Sequence, residues 1–172
     1  LTIFGIPLIL FSAAMLGFFT AYGVGANDVA NAMGTSVGSK VLTISQAVLI
    51  AAIFEFLGAF FAGGGVTQTI RKGVIDPELF IGQQEILIYG MISSLFAAGV
   101  WLLVASIRGW PVSTTHTIVG AIVGFGIYAL GSDKINWFVV GNISLSWLTS
   151  PISSGLLCLL YTSPSPRDVR SS

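Results

Sequence analysis

Charge is what this chain has least of. Seven Lys and Arg stand against seven Asp and Glu in 172 residues, only 8% of the sequence. A soluble domain carries about 25% charged residues and covers its surface with them. Here 54% of residues are hydrophobic instead, which excludes an ordinary water-soluble domain and points to an integral membrane protein. The two signs balance and no basic face exists, which argues against nucleic acid as a partner. Cysteine is almost missing as well. Cys158 stands alone, so neither an intrachain disulfide nor a multi-cysteine metal centre can form. The first residues lack a basic stretch and a cleavage site, so no signal peptide is expected. With Leu at position 1, the natural start is expected upstream.

Long apolar runs are abundant. Five segments stand out: Leu1 to about Gly25, Val41 to Gly64, Ile86 to Ile107, Ser113 to Leu130, and Trp137 to Tyr161. A hydrocarbon core of ~30 Å takes about 20 helical residues. Four segments meet that length and the fourth is marginal. No run alternates as a barrel strand would, so an all-α integral membrane fold is predicted over residues 1–161. The Arg71–Glu85 stretch holds five of the fourteen charges and reads as a water-exposed connection. Trp110 and Trp137 lie at segment ends, where indoles favour the interface. Basic residues show no sidedness: Lys40 and Arg108 follow odd segments, and Arg71, Lys72 and Lys134 follow even ones. The abruptly polar stretch 162–172 reads as a solvated tail or a non-native one, outside the fold.

Three ionisable residues fall within apolar segments: Asp28, Glu55 and His116. Such residues mark functional sites by default, because a charge at mid-membrane is costly. Asp28 lies in "GANDVANAMGTSVGSK" beside Asn27 and Asn31. Gly23, Gly25 and Gly34 allow the backbone to leave helical geometry, so a break in the first helix is expected here. Freed carbonyls, amide oxygens and a carboxylate would then suit a small cation. Asp28, Asn31 and Thr35 would share one face beyond the break. A capped interfacial helix end is the other reading of Asp28. Glu55, in "IAAIFEFLGAFF", must be protonated, paired with a cation or facing a wet cavity.

"GWPVSTTHTIVGAIVGFG" is the second informative stretch. Pro111 disfavours helix at Trp110, and Ser113 and Thr114 are good N-caps for a new one. A helix start with free N–H groups and the hydroxyls of Ser113, Thr114 and Thr115 makes an anion site without Lys or Arg. Gly120, Gly124 and Gly126 allow close helix packing, and the segment is expected to dip into the membrane and return. A plain interfacial cap fits the same residues. His116 is either a proton carrier, an anion donor or a structural histidine. A hydrolase built on Ser113 and His116 is disfavoured, because no G-x-S-x-G elbow surrounds the serine. A cation site and an anion site together point to an anion crossing with a coupling cation, not to an enzyme.

The two quoted stretches, with "IFEFLGAFFAGGGVTQTIRKGVID", resemble the PiT-type inorganic phosphate transporters, the solute carrier 20 and Pho-4 family. The resemblance covers nearly all of residues 1–161. It implies Na⁺- or H⁺-coupled symport of inorganic phosphate by two inverted repeats, each with broken helices and a re-entrant hairpin. By matched motifs it implies phosphate binding by Asp28, Asn31, Ser113, Thr114 and Thr115. It implies cation binding or coupling by Asn27, Asp28, Asn31 and Glu55, with Na⁺ as the metal at Asn27, Asp28 and Asn31. No cofactor is expected beyond the co-transported ion. The family carries the GANDVANA-like signature twice, whereas this chain carries it once. It is therefore expected to be an N-terminal half, completed by a missing C-terminal half or a second copy in the bilayer. A non-transporting membrane subunit or receptor-like scaffold is the alternative.

Overall fold

The structure, a computed structural model, describes residues 2–3 and 6–162, and of residues 2, 3, 6, 66, 67 and 69–72 the backbone only. The tail expected at 162–172 lies outside the described residues from 163 onward. Helix dominates, as the apolar runs require. Two two-residue strands come first, β1 (Thr2–Ile3) and β2 (Ile6–Pro7), paired antiparallel. They precede the helix expected from Leu1, which begins instead at Leu8 with Pro7 as its N-cap, where a missing N–H costs no helix hydrogen bond. Five helices follow: α1 (Leu8–Gly38), α2 (Ile44–Gly73), α3 (Gln84–Arg108), α4 (Thr114–Leu130) and α5 (Trp137–Thr162). By length and composition α1, Ile44–Gly65 of α2, α3 and α5 can each cross a membrane. The 17 residues of α4 reach only about 25 Å.

The boundaries have local causes. Thr43 caps α2 in a capping box with Gln46, whose side chain accepts from the Thr43 N–H at 3.0 Å. Helix α3 ends on Gly109, whose φ of +67° suits a residue without a Cβ. Its successor Trp110 donates back to the Ala105 carbonyl at 2.8 Å. Pro111 then blocks continuation, and Ser113 opens α4 by accepting the His116 N–H at 3.3 Å.

Residues 1–136 form one compact unit, and contacts define its packing. Thr20 Oγ1 is shared between the Leu16 carbonyl of its own helix and Leu95 of α3, at 2.9 and 3.0 Å. Asn27 meets Trp110. Contacts from 20 to 95 and from 27 to 110 mean that α1 and α3 run in the same direction. Ser94 Oγ donates to the Ala121 carbonyl at 3.2 Å, so α4 runs back along α3. The buried face of α3 is small: Gly90, Ser94, Ala98, Gly99, Leu102 and Ala105. A Cβ on Gly99 would lie 2.7 Å from the Phe19 ring and 2.9 Å from Thr20 Oγ1. Small residues let helix backbones approach closely where apolar burial gives no drive. Helix α2 contacts α1, and its buried residues include Ala47 and Ala51. The second unit carries α5, which has Pro151 within it and no buried residue.

Two expectations need correction here. The first helix is not broken: α1 continues through Gly23, Gly25, Asn27 and Asp28 to Gly38. Each interior glycine costs only about 1 kcal/mol, and cooperative helix around it absorbs that. Gly23 permits close approach instead, since a Cβ there would stand 3.1 Å from Leu102 Cβ. The Arg71–Glu85 connection is likewise not simply water-exposed. Helix α2 extends to Gly73, and Val74, Ile75 and Phe80 are among the most buried residues of the chain. Ile75 lies beside Gly126 and Phe80 stacks on Phe125 at 5.9 Å, both toward the end of α4. The charged Asp76, Glu78 and Glu85 stay exposed. On α4 itself only Gly126 makes the close approach read from its glycines; Gly120 and Gly124 have open space around them.

Candidate functional site

The site lies where α1 passes the turn between α3 and α4. That turn, residues 109–113, meets α1 at Asn27, and the first residue of α4 meets it at Asp28. Helix α1 then continues ten further residues to Gly38, about 15 Å. The polar residues of α1 therefore sit within a helix flank, not at its end.

Asn27 is the buried anchor, 4% exposed. Its Nδ2 donates to the Trp110 carbonyl at 3.1 Å, and its Oδ1 accepts from Asn31 Nδ2 at 2.9 Å. The Trp110 carbonyl needs such a partner because it follows a helix end and precedes Pro111. Asp28, half-buried, turns toward the hairpin. Its Oδ2 accepts from Thr114 Oγ1 at 3.0 Å. A carboxylate on α1 and a hydroxyl on the first residue of α4 are thus in direct contact.

The residues expected to receive an anion lie at the same place. Ser113, Thr114 and Thr115 form the start of α4, with Ser113 and Thr115 exposed and Thr114 half-buried. The His116 N–H is taken by Ser113 Oγ. The N–H groups of Thr114 and Thr115 have no protein partner among the described residues. Orphan N–H groups at a helix start carry partial positive charge and suit an oxyanion. Asn31 is exposed and linked through Asn27. Because α1 is unbroken, a cation at Asn27, Asp28 and Asn31 would find side-chain oxygens only; the backbone carbonyls stay in the helix.

Glu55 is not brought to this cluster. It lines a separate groove of about 630 Å³ between α1 and α2, with Tyr22, Ala26, Val29 and Met33. Asp28 and the residues of the hairpin turn do not line that groove. No hydrogen bond or ion pair reaches the Glu55 carboxylate among the described residues. His116 is exposed and borders a shallow pocket with Trp101, Thr117 and Gly120. Ser113 serves as a helix cap, its oxygen on a backbone N–H, which is how an N-cap serine behaves and not how a nucleophile is presented.

Trp110 is the participant that sequence reading missed. Its place at a segment end suggests only an interfacial anchor, yet its backbone carbonyl accepts from Asn27. The signal was available: a residue between a helix end and a proline leaves a carbonyl to be satisfied.

Fold and site together define a multi-pass integral membrane protein, with a carboxylate, amides and a helix start converging inside an apolar helical unit. Comparisons narrow that class. The family described as the phosphate transporter family matches residues 24–168. A putative phosphate permease of Haemophilus influenzae is 54% identical over 144 residues, 84% of this chain and 34% of that protein. The inorganic phosphate transporter 2-1, chloroplastic, of Arabidopsis thaliana is 47% identical, over 92% of this chain and 29% of that one. A solved structure titled "The sodium-dependent phosphate transporter" superposes with a TM-score of 0.84 at 47% identity, over 90% of this chain and 38% of that chain. The chain belongs to the phosphate transporter family. It spans about a third of the length of the relatives it matches.

Proposed function

We propose that this chain forms one half of a cation-coupled symporter of inorganic phosphate. The observation that carries the reading is the 3.0 Å contact between Asp28 and Thr114. It joins a carboxylate suited to a cation or a proton to a helix start suited to an oxyanion. Phosphate would be received by the N–H groups of Thr114 and Thr115, by the hydroxyls of Ser113, Thr114 and Thr115, and by Asn31. Na⁺ would be held by the oxygens of Asn27, Asp28 and Asn31. Sodium is favoured over H⁺ as the coupling ion because the structural relative at 47% identity is titled sodium-dependent.

Asp28 explains a preference for phosphate over sulfate. Near neutral pH phosphate still carries a proton and can donate to the carboxylate; sulfate cannot and is repelled. Glu55 acts apart from this cluster, as a carboxylate that couples the α1–α2 groove to the cation. The α3–α4 hairpin enters the membrane and returns, with its turn at the level of Asp28. A complete transport path requires the remaining length seen in relatives, as a C-terminal half or a second copy.

The test is equilibrium binding of ³²P-phosphate to the chain in nanodiscs, with sulfate as competitor. The wild-type chain is expected to bind phosphate in preference to sulfate, and Asp28→Asn to lose much of that preference. Unchanged selectivity in the variant would contradict the role given to Asp28.

A further inference from the structure

Arg108 ends α3, and its guanidinium lies over the Trp110 ring, 5.5 Å from the centroid. Trp110 itself leans on Trp101, with centroids 6.2 Å apart and a 45° tilt. The backbone of Trp110 is fixed at both ends: its N–H to Ala105, its carbonyl to Asn27. One residue therefore links a cation to the amide that neighbours Asp28. Stacking on an indole face suits guanidinium better than ammonium, because it is planar and more weakly hydrated.

The charge is not used elsewhere. Arg108 is exposed, and among the described residues the single ion pair joins Lys134 and Asp133. Between Lys72 and Lys134 it is the only Lys or Arg in the sequence. No other Lys or Arg lies on the hairpin; beside Arg108 stand His116 and the partial positive charge of the α4 start. An arginine at the last turn of a helix complements the carbonyl end and needs no further role on that account alone. The aromatic stack adds a second constraint. It sets the head group over the ring of the residue whose backbone carbonyl Asn27 binds, one residue before Asp28 on α1.

We propose that Arg108 is an affinity-determining residue of the oxyanion site, a fixed cation that steers the anion to it. It attracts a doubly charged phosphate past the Asp28 carboxylate, whose repulsion would otherwise oppose entry. Trp110 holds it in place. The inference rests on the phosphate reading above. It acts at range, so its mark is on affinity and on salt dependence, as for any charge that steers a ligand. The chemistry it recognises, a phosphate oxyanion, also occurs in lipid headgroups.

The test uses the chain in phosphatidylcholine nanodiscs, with inorganic ³²P-phosphate as probe. NaCl is held constant and ionic strength is raised with choline chloride. Arg108→Gln is expected to weaken binding about tenfold at low ionic strength, equal to about 1.4 kcal/mol. The wild type and the variant should converge as salt rises. Arg108→Lys should recover only part of the loss, and Trp110→Leu, which keeps the charge but removes the platform, should fall between. A purely structural helix-end arginine predicts full rescue by lysine and no change in salt slope, which overturns the proposal. Equal binding by the wild type and Arg108→Gln overturns it too, and leaves the phosphate reading standing. No phosphate binding by a folded wild-type chain removes the phosphate reading and this inference together. A parallel series in nanodiscs with phosphatidylglycerol separates the two sources of oxyanion. If Arg108→Gln releases retained phosphatidylglycerol but leaves free-phosphate binding intact, the guanidinium serves a headgroup and the proposal fails. Should Arg108→Gln misfold by circular dichroism, the Trp110→Leu series decides by the same criteria.

Discussion

At the scale of single residues, the account turns on one hydrogen bond between two helices. Thr114 Oγ1 donates to Asp28 across the α1–α4 contact. Hydrogen bonds to charged groups contribute roughly 1.5–3 kcal/mol. Thr114→Val keeps the shape and removes the donor, so phosphate affinity is expected to fall by roughly tenfold or more. Thr114→Ser should retain most of it. Equilibrium binding of labelled phosphate to both variants checks this, and equal affinity for Thr114→Val would show that the contact is incidental. Glu55 leads to a prediction of the opposite kind. It lies in the α1–α2 groove, away from Asp28 and the hairpin turn. Independent sites have nearly additive effects. Glu55→Gln should therefore leave phosphate binding within about twofold of wild type, while abolishing gradient-driven uptake by a transport-competent assembly. A large loss of binding in that variant would place Glu55 in the phosphate site after all.

At the scale of helices, packing depends on small residues more than on volume. Gly99→Ala sets a methyl group against Phe19 and Thr20. Overpacking of this kind costs typically about 1–3 kcal/mol. A lower thermal transition in detergent is the expected result; an unchanged one would mean that α1 and α3 separate easily. Thr43→Ala removes the capping box of α2 and should cost about 1 kcal/mol, readable in the same assay as a smaller fall.

Much of this level was legible in the sequence. Apolar length gave the five helices, and Ser113 after Pro111 gave the start of α4. The polar residues of both quoted stretches do meet, at Asn27, Asp28 and Thr114. The unbroken course of α1 was not legible. Glycine lowers helix propensity without forbidding helix, and its tertiary use at Gly23 depends on Leu102, which is distant in sequence. The burial of Val74, Ile75 and Phe80 was hidden for a similar reason. Their charged neighbours dominate a local reading, whereas the surface they cover on α4 lies some fifty residues away. The separation of Glu55 from Asp28 could not be read either, since two carboxylates in two helices say nothing of which faces those helices present.

At the scale of the whole molecule, the surface is what the composition requires. Phe54, Phe56, Phe60 and Phe61 of α2 and Leu156, Leu157 and Leu160 of α5 are exposed. Apolar surface of this extent is compatible with lipid and with helices from further chain, not with water. The chain spans about a third of the relatives it matches, and under the proposed function the transport cycle is carried by a larger assembly than the described residues. The central claim is that the α1–hairpin junction is a phosphate site served by a coupled cation. Uptake of ³²P-phosphate into proteoliposomes tests it most directly, with an imposed Na⁺ or H⁺ gradient, for this chain alone and joined to the C-terminal portion of a relative. The account predicts Na⁺-gradient-dependent uptake by the completed protein, lost in Asp28→Asn, and little or none by the chain alone unless two copies assemble. Uptake by the completed protein that persists undiminished in Asp28→Asn would contradict it.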